Sequence, residues 1–189
     1  MVDFNPAAVR VGVTGTVYLG PLGTALPTDV TTPLNAAFVS VGFISEDALT
    51  ESMSITTERL RAWQRPVGIR TLTTEVEWTF EFMMLETSPL VLDLYYGLDD
   101  GTSVAGGVAT TAINAFPQSV QRAMVIDIED GNVLTRYAIP VVEIGDREEV
   151  NHNLSEGTIW GVTANVMGSS LDDMGFRITN DPTFVALAS

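Results

Sequence analysis

The chain contains no cysteine, which removes disulfides, thiolate metal sites and cysteine nucleophiles together. It has no lysine either: its 9 basic residues are all arginine, against 24 acidic ones, for a net charge of −15. Affinity for nucleic acid comes mainly from cationic neutralisation of phosphate, so a chain of this charge repels it. The single histidine, His152, cannot make the usual zinc sites or a Ser-His triad with any redundancy. P-loop, G-x-G-x-x-G and G-x-S-x-G motifs are missing. Asp127, Glu129 and Asp130 before Gly131 have the wrong spacing for a calcium loop. Glu75 and Glu77 lie two apart, as a glycosidase pair might, but alternation alone does not supply the two environments such a pair needs. No apolar run approaches the roughly 18 residues that span a bilayer. The opening MVDFNPAAVR lacks the basic and apolar regions of a signal peptide. The expectation is a protein without catalytic, cofactor or metal site, not an enzyme and not membrane-bound.

What is present is β-structure. In LTTEVEWTFEFMML, residues 72–85, Leu72, Val76, Trp78, Phe80 and Phe82 share one parity, and Glu75, Glu77, Thr79 and Glu81 the other. Period-two alternation places these sets on opposite faces of a strand. From Thr71 to Phe82 that strand would run roughly 40 Å at about 3.3 Å per residue, well beyond the usual length. One face is read as core. The other, acidic and hydroxylated, is either a solvated face or the lining of something.

The remaining elements follow in order. Val9 to Leu19 alternates as a first strand, and the proline-rich stretch 20–33 is a long loop, of a length usually functional. Phe38, Val41, Phe43 and Ile44 are expected to pack, with residues 39–44 as a strand. Segment 45–66 is irregular: 54–60 reads as a strand and 57–63 as a helical turn. It concentrates Arg59, Arg61, Arg65 and Trp63, residue types enriched at interfaces, against the plainer reading that Trp63 caps the core. Ser88, Pro89 and Gly97 bracket a short helix, with Leu90, Val91, Leu94 and Tyr95 as its apolar stripe. Residues 99–115 read as a loop. Strands 120–128 and 133–142 form a hairpin around Asp130-Gly131, expected as a type I′ turn. A further strand covers 158–167, and the tail 171–189 ends in PTFVALAS, which docks as an edge strand or frays. The whole of 1–189 is expected to be one mainly β domain with a flanking helix and long loops.

Several of these stretches together resemble the major tail tube protein of long-tailed, siphovirus-type phages of actinobacteria. They are VRVGVTGTVYLGP, GTALPTDVTTPLNAAF, VGFISEDALTESMSITTERLRAWQ, IRTLTTEVEWTFEFMMLE and SPLVLDLYYG. The likeness covers residues 9–97 well and the hairpin 120–142 moderately. Ala48 stands where the family pattern often has a glycine, and no appended immunoglobulin-like domain is expected. The resemblance implies a β-sandwich or barrel protomer, joined edge to edge into hexameric rings that stack as a hollow tube. Its implied partners are copies of itself, a tape-measure protein, tail terminator and tip proteins, and double-stranded DNA passing without specific binding. The implied location is the virion tail, assembled in the host cytoplasm. Glu75, Glu77 and Glu81 become candidates for the lumen, the outer surface being the other assignment. Arg59, Arg61, Trp63 and Arg65 become the arm to a neighbouring ring, expected to meet Asp99 and Asp100 or Glu148 and Glu149 there. Rival readings are a capsid-decoration or tail-terminator protein, and a carbohydrate-binding β-sandwich.

Overall fold

A computed structural model describes residues 4–63, 65–153, 157–168 and 173–185. Its backbone is an antiparallel eight-stranded sheet in the order β2-β1-β7-β8-β9-β4-β3. These strands are β1 Thr14–Pro21, β2 Val39–Ser40, β3 Ile44–Ala62, β4 Arg65–Met84, β7 Gln121–Asp130, β8 Val133–Arg147 and β9 Trp160–Val166. The eighth, β10 Phe176–Thr179, pairs with β8 beyond the end of β9. A separate hairpin, β5 Thr102–Ala105 with β6 Val108–Thr111, occupies part of the stretch expected to be loop.

The sheet wraps one core. Trp78, Phe80, Phe82 and Met84 of β4 point into it, meeting Val17 and Leu19 of β1, Met124 and Ile126 of β7, and Val162 and Ala164 of β9. Each large apolar side chain buried this way stabilises by about 1.5–3 kcal/mol. Helix α1, Pro89–Tyr96, packs against this core: Val91 and Leu94 are buried, and Tyr95 and Tyr96 pack edge-on against Trp160. The Ser88 hydroxyl accepts from the Val91 amide, and Gly97 ends the helix at φ 67°, a left-handed conformation suited to glycine. β7 is buried on both faces, because Ala123 and Val125 pack with Phe38, Tyr18, Leu26 and Leu34 under the 22–38 loop. A continuous apolar run results there, rather than alternation.

Several expectations are corrected. β1 begins at Thr14, not Val9. The Val13 amide still donates to the Glu129 carbonyl of β7, but β7 ends at Asp130, so Val9 and Val11 run past it, and all three valines stay exposed. β2 is only Val39–Ser40, and Phe43 is 75% exposed, while Phe38 and Val41 are buried. Residues 57–62 are strand, not a helical turn, since the β4 ladder satisfies their backbone. The 130–133 turn has positive φ at Gly131 but not at Asn132, so glycine leads the two-residue loop as type II′, not I′, requires. In the C-terminal segment the docking strand is β10, and Pro182–Val185 is a short helix, α2, rather than an edge strand. Residues 186–189 lie outside the described ones.

Candidate functional site

β3 and β4 are far longer than the sheet they belong to. Their ladder pairs Leu49 with Phe82 at the root and Ala62 with Arg65 at the tip. β9 accompanies β4 only between Thr79 and Met84. Beyond Trp78 the hairpin leaves the body, and the described side chains from residue 51 to 77 are exposed on both faces. From Ser52 to Ala62 this arm extends roughly 35 Å at about 3.3 Å per residue. Neither its β3 edge nor the β4 edge outward of Trp78 has a strand partner among the described residues. Long unpaired edges template association with other chains.

The root of the arm is fixed by one carboxylate. Glu51 accepts the Trp78 indole N–H at 2.9 Å and the Tyr137 hydroxyl at 2.9 Å. Both rings pack against Phe80, Trp78 tilted and Tyr137 edge-on, with centroids 5.2 and 5.6 Å away. Burial first, and the Glu51 bond second, raise the Tyr137 pKa above its usual value.

A register shift then changes what each face carries. Thr56 pairs with Glu75 but Thr57 with Thr73, so Thr74 is an extra residue, its hydroxyl turned to the Thr56 carbonyl at 3.2 Å. One inserted residue reverses the parity of everything beyond it. Leu72, expected with the core set, pairs with Glu58 on the glutamate face instead. Leu72 and Val76 are each 41% exposed, so the core face of the strand begins only at Trp78.

Inward of that bulge, the face turned away from the core is polar except for Met83, which pairs with Gly161. On β3 it carries Thr50, Ser52, Ser54 and Thr56, and on β4 Glu75, Glu77, Thr79 and Glu81. Pairing continues it across β9 as Thr163 and Asn165, and onto β8 as Glu143. Hydroxyls, carboxylates and one amide make up this surface outward of Met83, and no arginine falls within it. At its margin the Glu148 carboxyl lies over Gly161, where an added Cβ would meet it at 2.6 Å. Desolvation, then the hydrogen bond and charge of Glu81, push the Glu148 pKa up.

The arginines and Trp63 sit at the other end. Trp63 is 99% exposed, so it does not cap the core. Arg59 and Arg61 lie on the opposite β3 parity from Thr56 and Glu58, close to the tip. No ion pair involves Arg59, Arg61 or Arg70 among the described residues. The Arg65 side chain lies outside the described residues. Of the acidic groups expected to receive these arginines on a neighbour, Asp99 pairs with Arg122 of its own chain at 3.6 Å, and Glu148 faces Glu81.

Two clamps were not anticipated from the residues alone. Arg136 is buried and bidentate to Asp127, at 2.7 and 2.8 Å, and also donates to the Asp29 and Thr32 carbonyls of the 22–38 loop. A two-residue turn at 131–132 places 127 opposite 136, so the hairpin register carried that signal. Arg10 is bidentate to Asp181 at 2.6 Å, tying both termini together. That bond, with help from Thr183, holds the Asp181 carboxyl below the usual carboxylate range.

The family model described as phage tail tube protein matches residues 2–187. No curated protein matches the chain. Among solved structures, a chain of the cryo-EM structure of the anti-feeding prophage baseplate, 6-fold symmetrised, is similar at 11% identity and a TM-score of 0.43. The alignment covers 93% of this chain and 97% of that one.

Proposed function

The chain belongs to the phage tail tube protein family, a structural component of the virion tail, and from that premise we propose that it is the wall unit of a hollow tail tube. Copies join through the free edges of β3 and β4 into hexameric rings, and the rings stack. DNA passes through the bore on its way to the host, and a tape-measure protein occupies it beforehand. Terminator and tip proteins close the two ends. The phage is of the long-tailed type that infects actinobacteria, and assembly takes place in the host cytoplasm. Residues 1–189 form one tube domain whose arm, 45–66, reaches a neighbouring ring.

The observation that carries this reading is the arginine-free face built by β3, β4 and β9. Glu75, Glu77 and Glu81 repel phosphate across a bore lined otherwise by hydroxyls, so DNA slides without sticking. The apolar stripe on the other face, where Met53, Ile55 and Val76 are exposed next to buried Trp78, favours contact with a second copy. Negative-stain microscopy of the concentrated protein tests it. Hollow rings or tubes are expected; a protein that remains monomeric at every concentration and buffer contradicts it.

A further inference from the structure

We propose that the arm tip of one copy, led by Trp63, seats in the groove between β1 and β3 of another copy. This rests on the tube reading above and names the surface that the arm engages.

The groove has a volume of about 690 Å³ and lies between the first residues of β3 and the near half of β1. That size is typical of sites that enclose most of what they bind. Its floor is apolar, with Val17, Leu49 and Ile126 among its lining. Glu46 and Glu86 stand at it, and no arginine does. Thr14, Gly15 and Thr16 present a ladder edge there, because β2 pairs with β1 only at Tyr18 and Leu19.

The arm tip is the complement. An exposed tryptophan offers roughly 150–250 Å² of surface for burial. Arg59 and Arg61 bring positive charge without an acidic partner of their own among the described residues. Tryptophan and arginine are the side chains that most often dominate binding at a desolvated patch. Elsewhere the chain is acidic, which makes this tip its one concentration of cations: Arg59, Arg61, Arg65 and Arg70 fall within a dozen residues.

Topology decides between self-contact and contact with a neighbour. The groove is at the root of β3, at Ile44 to Leu49, and Trp63 follows that strand's far end. A paired, extended hairpin cannot fold its tip back onto its own root, so knob and groove meet only between copies. Two different patches on the same molecule make a head-to-tail contact, which propagates instead of closing as a two-fold dimer. Stacked rings need a contact of that kind.

The absence of cysteine allows a direct test. Val67→Cys, beside the tip, and Ser45→Cys, in the groove, are prepared as separate proteins, mixed, assembled and treated with a short bis-maleimide. Circular dichroism first establishes that each variant is folded. A cross-linked dimer at least tenfold more abundant than with Asp100→Cys in place of Ser45→Cys is expected. Trp63→Ser and Glu46→Arg, both at exposed positions, are expected to keep the unfolding midpoint and lose that cross-link. Assemblies that form while Val67→Cys links no better to Ser45→Cys than to Asp100→Cys overturn the docking and leave the tube reading standing. Failure of the wild-type protein to assemble overturns both.

Discussion

Besides its apolar core, the protein carries a few charged side chains in places where charge is costly. Arg136 and Asp127 lie opposite each other on β8 and β7, nearly out of solvent, and Arg136 also tethers the 22–38 loop. Removing one member of a buried pair leaves the other uncompensated, at a cost of about 3–5 kcal/mol. Arg136→Ala is therefore expected to lower unfolding free energy by that amount in denaturant titration, with earlier proteolysis within 22–38; a loss under about 1 kcal/mol contradicts the clamp. Acid acts on a second pair. The folded-state pKa of Asp181 is depressed by Arg10, so its contribution is complete above the ordinary carboxylate range and lost as pH falls below it. Between about pH 5 and about pH 2 the wild type should lose more stability than Asp181→Asn. Glu148 has the opposite sign, since its pKa is raised by burial and by Glu81: its contribution is present at low pH and fades as pH rises. Glu148→Gln is expected to raise the melting temperature at neutral pH and to give no gain near pH 4; an equal gain at both would remove the carboxyl pair as its cause.

Elements with strong local signals were legible in the sequence, and the arm was only half so. Ser88, Pro89 and Gly97 set the limits of α1 because each satisfies a backbone requirement of a helix end; Ser88→Ala should cost about 1 kcal/mol by thermal unfolding. The alternation of β4 was readable from Trp78 to Met84, where a core enforces it. It was not readable outward of Val76, because a bulge at Thr74 leaves no mark in a run of threonines and glutamates. The core role expected of Leu72 failed there. Residues 57–62 had helix-permissive composition, and only the partner strand β4, a non-local contact, makes them β. Val9, Val11 and Val13 alternate as well as any strand, yet β7 is too short to pair Val9 and Val11. The Gly106-Gly107 turn of β5 and β6 was hidden in a small-residue stretch with little pattern. The arginines and Trp63 were visible as an unusual cluster, and the fold places them at the end of a projecting hairpin. Replacing Arg59, Arg61 and Arg65 with serine should leave the unfolding midpoint within a few degrees of the wild type, while tube length and yield drop sharply. Tubes of normal length from that variant would deny the arm its role.

At the scale of the whole molecule, the shape is that of a part rather than a finished object. A packed body carries a two-stranded arm with two open edges, an acidic face on one side and exposed apolar residues on the other. An isolated copy leaves all of these unpaired; the ring we propose covers the edges and the apolar stripe and turns the acidic face inward. Exposed ion pairs contribute only about 0–1 kcal/mol each, so in the proposed assembly arginine contacts are expected to set register and apolar burial to set affinity. The measurement that decides the matter is a cryo-EM reconstruction of the assembled protein at side-chain resolution. The expected map shows a hollow hexameric tube with Glu75, Glu77 and Glu81 facing the bore. A map with those carboxylates on the outer wall, or with a bore lined by arginine, contradicts it.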